Sequence, residues 1–257
     1  MEFVSNPQDL EPAWDQQYHR LAEEFSRILG ERVGILVEIG CGKGQLTILL
    51  AERLSHYQII GVDQFTGPYS TSRTELLSEL AGRERKIGIK VIVSDYKTWL
   101  ASQADSKYDA VISSEFLPEI DSKNMRIFFD ECYRVLRPDG MTIHSFLSDR
   151  PRNVRQRRMI EADSDPRWTN TPPIEWFSPP DRLVFDCLKK AGFQRLRKLR
   201  LSSGLVFRSE AARLLLADWD VRQSYWRAHR EELENSGLEI PDWLIISGVK
   251  TRKEKFP

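Results

Sequence analysis

The residues of this chain best suited to chemistry begin with a carboxylate and three glycines at fixed spacing: Glu38, Gly40, Gly42 and Gly44, within GILVEIGCGKG at residues 34–44. Glycines at alternate positions let the backbone take positive φ and let a ligand approach it closely. A helix start beyond such a turn offers unpaired N–H groups, which suit an anionic ligand group. Two more acids occupy related places. Asp63 ends the apolar run QIIGVD and Asp95 ends IKVIVSD. An acid roughly 20 residues after a glycine turn is placed to accept hydrogen bonds from both hydroxyls of a ribose. A dinucleotide fingerprint is weakened by one residue, because Gln45 stands where its third glycine belongs. A phosphate-cradling P-loop fails, because Lys43 is followed by Gly44 rather than Ser or Thr.

The elements that must position these residues follow from periodicity. Gly34 to Ile39 has the length and β-branched content of a buried strand, and Gly44 to Leu54 repeats apolar residues at helical spacing. Gln58 to Phe65 reads as a second strand, Ile89 to Asp95 as a third, and Tyr108 onward as a fourth that ends at Ser113, Ser114 and Glu115. Ser72 and Glu75 stand in capping-box register before another helix. Met125, Phe128, Phe129, Cys132, Val135 and Leu136 follow helical spacing, so a helix is expected over 121–137, with LRPDG as the turn into a fifth strand. Upstream, Trp14, Tyr18, Leu21, Phe25 and Ile28 define an amphipathic helix that Gly30 can end, preceded by a loose leader over residues 1–11.

Beyond the fifth strand the pattern changes. Asp149 to Pro173 is polar and arginine-rich, and reads as a long loop or partly helical excursion. Its arginines either form a solvated face or recognise an anion through bidentate contacts. Ser178, Pro179 and Asp181 mark a helix start and Gly192 its end. Phe193 to Leu201 suggests a strand with one wet face, Ser209 to Asn235 a long helical stretch, and DWLIISGVK the last strand.

Composition narrows the class. Lys plus Arg and Asp plus Glu both number 38 in 257 residues, so no global field argues for nucleic acid or a membrane surface. The three cysteines, Cys41, Cys132 and Cys187, match no metal-ligand spacing and suit reduced thiols in the cytoplasm. Apolar runs fall short of a membrane span, and the acidic start Met1-Glu2 does not read as a signal peptide.

Glu38-x-Gly40-x-Gly42-x-Gly44 resembles motif I of the class I S-adenosylmethionine-dependent methyltransferases. ECYRVLRPDGMTIHSF resembles that family's later run of helix, Pro/Gly turn and fifth strand, so the resemblance covers about residues 34–147. It implies an α/β fold: a Rossmann-like, doubly wound, seven-stranded and mostly parallel sheet with helices on both faces, plus N-terminal and C-terminal-half helical additions. The whole chain would then be one methyltransferase domain, with a lid helix over 1–30, a cofactor core over 34–147, and substrate-side insertions over 149–175 and 203–238. The cofactor implied is S-adenosyl-L-methionine, with S-adenosyl-L-homocysteine as product. Glu38, Gly40, Cys41, Gly42 and Gly44 would hold its methionine part, Asp63 and Gln64 its ribose, and Asp95 and Tyr96 its adenine, with Ser113 facing it from the fourth strand.

Methyl transfer needs alignment more than a base. Glu115 and His144 are the catalytic candidates, with Tyr18, His19, Arg150 and Arg152 on the substrate side. EIGCGKGQLT resembles a segment of ribosomal RNA adenine dimethyltransferases, but the Asn/Asp-Pro-Pro-Tyr clamp of those enzymes is replaced here by SSEFLPEI. Nor does a cysteine follow the fourth strand, as cytosine C5 methylation would require. A small-molecule acceptor is therefore the first expectation, with Trp168, Trp176, Trp219 and Trp226 available for an aromatic pocket. The alternatives are an RNA or protein acceptor, bound by the arginine loop and the basic residues Arg195, Arg197, Lys198 and Arg200, and a non-enzymatic partner-binding subunit.

Overall fold

Short apolar runs bounded by glycine or aspartate become strands, and the amphipathic stretches between them become helices. The computed structural model describes residues 2–66, 70–81, 88–170 and 179–252. The chain opens with strand β1 (Glu2–Val4) and helix α1 (Leu10–Leu29). Four strand-helix pairs follow: β2 (Gly34–Ile39) with α2 (Gln45–Arg53), β3 (Tyr57–Asp63) with α3 (Ser72–Ala81), β4 (Ile89–Val93) with α4 (Tyr96–Ala101), and β5 (Tyr108–Ser114) with α5 (Ser122–Val135). Next come β6 (Leu136–Leu147), α6 (Val154–Ser164), α7 (Asp181–Ala191) and β7 (Gln194–Leu201). The last segment holds β8 (Leu205–Phe207), α8 (Ser209–Asp218), α9 (Gln223–Ser236), β9 (Leu238–Glu239) and β10 (Trp243–Val249).

The chain divides into two compact units. One comprises residues 18–145, 182–199 and 245–257, and contains the cofactor-core segment. Seven strands lie in the order β4-β3-β2-β5-β6-β10-β7. β2 is central: Leu36 pairs with Ile59 and Ala110, and Glu38 with Gly61 and Ile112, all in parallel. After β4 the chain crosses to the other side of β2, which makes the β2/β5 boundary a topological switch point. Strands buried on both faces read as continuous apolar runs. Accordingly Leu36, Val37, Ile39, Ile59, Val111, Ile112 and Ile143 are buried. α5 starts on Asp121, whose carboxylate accepts from the Asn124 amide at 2.8 Å. It packs Met125, Phe128, Phe129, Cys132 and Val135 inward, and each large side chain so buried contributes about 1.5–3 kcal/mol. The LRPDG turn is a bulge inside β6: Tyr108 pairs with Leu136, but Ala110 pairs with Met141. Asp139 takes φ +67° there.

The other unit comprises residues 1–17, 146–181 and 200–244. These segments build a core of their own. Leu205, Phe207, Ala211, Leu215, Tyr225, Leu233, Leu238 and Ile240 are buried together with Val4 and Met159. The leader is not loose: β1 pairs in parallel with β8, Val4 opposite Phe207, in a three-stranded sheet of order β1-β8-β9. The helical stretch over 209–235 is broken between α8 and α9, where Asp220 takes φ +56° and Val221 bridges to Thr169. An aspartate adopts that conformation more readily than most residues.

Several arginines of this segment are tied to acids and carbonyls of the same unit, although Arg150, Arg152 and Arg157 remain exposed. Arg152 Nε meets Asp242 Oδ2 at 2.6 Å, and its other end lies 3.6 Å from Glu239. Arg200 adds a contact of 3.3 Å to Asp242, and Gln156 Nε2 donates to Asp242 Oδ1 at 2.9 Å. Arg155 donates to the Ser236 carbonyl at 2.7 Å, and Arg158 pairs with Glu232. Asp242 and Glu239 are buried, and buried acids need such partners. Asp242→Ala should therefore cost about 2–4 kcal/mol, since it strips a charge-assisted network from a buried position. Denaturant unfolding monitored by circular dichroism measures the loss, and an unchanged midpoint would remove the network from the account.

Candidate functional site

The carboxyl ends of β2, β3, β4 and β5 carry the residues singled out by spacing, all within the seven-stranded unit. Gly40, Gly42 and Gly44 have φ of +73°, +45° and +78°. A Cβ on Gly40 would lie 2.8 Å from the Phe116 ring, and one on Gly44 would lie 2.2 Å from Leu76, whereas a Cβ on Gly42 would meet nothing within 4 Å among the described residues. Gly42 thus leaves an open cradle at the switch point. The turn spends most of its own amides. Gly40 N and Cys41 N donate to the Val62 carbonyl at 2.8 and 3.3 Å, and Gly44 N donates to Cys41 O at 2.8 Å. Gly42 N donates to Asp63 Oδ2 at 2.9 Å. Donors for an anionic group are accordingly those of the first turn of α2, where helix amides lack intrahelical partners.

Glu38 is buried in β2 and receives the Thr47 hydroxyl of α2. Burial pushes its carboxyl up to about 8; the Thr47 hydrogen bond offsets part of this and the Asp63 charge adds to it. Asp63 accepts the Phe65 amide at 2.7 Å on Oδ1 as well as Gly42 on Oδ2. Each carboxylate oxygen keeps a second lone pair for a hydroxyl. Gln64 beside it is exposed. Asp95 caps α4 by accepting from Thr98 N at 3.0 Å, and hydrogen bonds from the Thr98 side chain and then its amide hold it below the usual carboxylate range. Tyr96 packs edge-on against Phe116 and Phe128 at 5.1 and 5.8 Å. Its buried hydroxyl has no hydrogen-bond partner among the described residues, and burial pushes it up to about 12.

Several expectations are corrected by orientation. Ser113 is fully buried and its hydroxyl bonds His144 Nδ1 at 2.8 Å, so it faces the core. His144 is a fully buried histidine of the core. Thr142 gives its only hydroxyl proton to Val111 O at 3.1 Å, so it accepts from His144 Nε2–H, which leaves Nδ1 to accept from Ser113. Phe128 and Phe129 enclose the ring edge-on, and burial lowers its pKa to about 3. The Cys41 thiol is buried with Ile48, Phe65 and Leu76, and burial raises it well above the ordinary thiol range. His19 lies against Arg53 at 3.3 Å, at the end of α2 remote from the glycine turn. Arg150 sits 3.8 Å from Asp181 and Arg152 is held by Asp242. Tyr18 is half-buried on α1. Trp168, Trp219 and Trp226 pack against the core of the smaller unit, while Trp176 and Ser178 lie outside the described residues. Ser72 begins α3 as its first residue, and Glu75 pairs with Lys43 at 3.0 Å.

Glu115 ends the fourth strand half-buried at φ +53°, its amide donating to Ser145 O at 2.9 Å. That conformation is costly for a non-glycine residue. Three residues escaped the sequence reading. Thr47 is a polar residue on the inward face of α2, between Leu46 and Ile48, and that placement was its available signal. Phe116 closes on Gly40. Glu119, in the 3-10 turn Leu117–Glu119, is exposed, yet desolvation of its carboxyl and the Asp63 charge push it up to about 7.

An open, mostly parallel sheet with a glycine turn at its switch point, an acid ending the next strand and another capping the helix after β4, defines an α/β domain shaped for a nucleoside-bearing ligand. Residues 36–140 match the family described as "Methyltransferase domain". Trans-aconitate 2-methyltransferase of Azoarcus sp. is 27% identical over 139 residues, covering 51% of this chain and 49% of that protein. The tRNA N(3)-methylcytidine methyltransferase Mettl2 of Drosophila melanogaster is 27% identical over 111 residues, covering 42% and 33%. The chain therefore spans half or less of these curated relatives. A SAM-dependent methyltransferase structure from Archaeoglobus fulgidus aligns with a TM-score of 0.59 at 16% identity, covering 92% of this chain and 94% of that one. Among the described residues, no helix is long and apolar enough to cross a membrane.

The core role of His144 carries a signed pH dependence. Its folded pKa lies below its unfolded value, so the unfolded state binds more protons below about 6.5 and stability falls with falling pH, by at most about 1.4 kcal/mol per unit. His144→Gln should destabilise the protein at pH 7 by about 1–3 kcal/mol through the Ser113 and Thr142 hydroxyls, flatten that acid slope and leave cofactor affinity unchanged. Unfolding at pH 7 and pH 5, with a cofactor titration of the variant, checks all three.

Proposed function

We propose that this chain transfers a methyl group from S-adenosylmethionine to a small-molecule acceptor. The open cradle at Gly42, beside two glycines whose Cβ positions are filled by Phe116 and Leu76, is the observation that supports this most. The first-turn amides of α2 would hold the carboxylate of the cofactor, and Asp63 would accept from its ribose hydroxyls. Asp95 and Tyr96 would take the adenine side, where the unpartnered Tyr96 hydroxyl offers a donor. Cys41 would contribute main chain only, since its thiol is buried. The chemistry the cofactor supplies is an electrophilic methyl for in-line displacement, which alignment and exclusion of water promote. Glu115, in its strained conformation after the fourth strand, is the side chain we assign to orienting the acceptor.

A small acceptor is favoured because the arginines of the 150–158 segment are largely committed within the chain, and because one relative is named for a small acid, trans-aconitate. An RNA acceptor has its own support in exposed Arg195 and Arg197 on β7 and in the relative named for tRNA. Strongly salt-dependent binding of a tRNA mixture would favour that second reading, and no binding at low salt would remove it.

Gly42→Ala tests the cradle. The methyl meets no atom of the described residues within 4 Å, so the fold should lose only about 1–2 kcal/mol for the left-handed backbone. Affinity for S-adenosylmethionine should fall at least about tenfold, or 1.4 kcal/mol. Isothermal calorimetry with S-adenosylmethionine on a variant shown to be folded decides it, and full retention of affinity would contradict the assignment.

A further inference from the structure

Glu38 is an acid in an unusual place. It is 2% exposed, on the central strand, with Gly61 and Ile112 as its cross-strand neighbours. From α2, the fully buried Thr47 donates its hydroxyl to it. The described titratable groups near it are Asp63 at the end of β3 and the Cys41 thiol in the turn, both acids. Glu119, in the turn after β5, acts in its turn on the Asp63 side. A carboxyl group so surrounded is favoured in its neutral form until a positive charge arrives. The ligand of the proposed site carries an ammonium and a sulfonium, and Glu38 stands two residues before the turn that would receive it.

We propose that binding of S-adenosylmethionine expels a proton from Glu38 to solvent. The site takes up its cationic cofactor in exchange for that proton, and Glu38 is a positioning residue charged only in the loaded protein. This inference rests on the cofactor reading above. With the free carboxyl titrating at about 8, cofactor affinity should weaken about tenfold for each pH unit below that value, the sign expected when the bound state carries one proton fewer.

Calorimetric titration with S-adenosylmethionine at pH 7, in phosphate and in Tris, reads the number of protons released from the dependence of the observed heat on buffer ionisation enthalpy. The wild type should release close to one, Glu38→Gln close to none, and Glu119→Gln as much as the wild type. Saturable binding without proton release, release that persists in Glu38→Gln, or release abolished by Glu119→Gln would each overturn the proposal. Should Glu38→Gln fail to fold, Thr47→Val replaces it. That variant removes the donor that favours the carboxylate, so the pH of half-maximal release should rise, and an unmoved midpoint would overturn the coupling. A folded protein that binds no S-adenosylmethionine in any buffer would instead overturn the cofactor reading, and this inference with it.

Discussion

The carboxylate of Asp63 ties the end of β3 to the glycine turn after β2, and the rest of the site depends on that tie. One oxygen takes the Gly42 amide and the other takes Phe65. The Val62 carbonyl collects the amides of Gly40 and Cys41 alongside. The turn is therefore fixed before any ligand arrives, and preorganised polar groups cost no reordering on binding. Phe116 and Leu76 fill two of the three glycine positions, and no described residue fills the one at Gly42. Packing thus selects which glycine faces a ligand, although all three share a left-handed backbone.

The smaller unit is organised by another balance. Asp242 and Glu239 are removed from water, and Arg152, Arg200, Gln156 and Asn153 repay part of that desolvation. Removing one partner of such a network leaves an uncompensated buried charge, whatever the network adds to stability as a whole. Around it a three-stranded sheet and two helices bury Leu205, Phe207, Leu215 and Leu238. Arginines that look like an anion-binding run in the chain are, in the fold, counterions to acids far along it. Arg152 and Asp242 are 90 positions apart, a pairing that no local pattern records.

The central strands were legible because a parallel sheet buried on both faces writes itself as continuous apolar runs ending in charge. Glu38, the glycines and Asp63 therefore fell at strand ends, while Asp95 lies two residues beyond β4 and caps α4. Side-chain facing was less legible. Successive residues of a strand point to opposite faces, and the sequence alone does not say which of Ser113 and Ser114 turns inward. Ser113 does, and with Thr142 it makes His144 a core residue. β1, β8 and β9 have three, three and two residues, too few for any periodicity to register. The break between α8 and α9 rests on one left-handed aspartate, Asp220, in an otherwise helical pattern.

Amide hydrogen exchange with and without S-adenosylhomocysteine addresses the central claim most directly, because it reads where the cofactor sits on the intact chain. The account predicts added protection over the glycine turn and the first turn of α2, at the end of β3, and at the start of α4, with β8, α8 and α9 unaffected. Binding without protection at the glycine turn, or protection confined to the three-stranded unit, would contradict it.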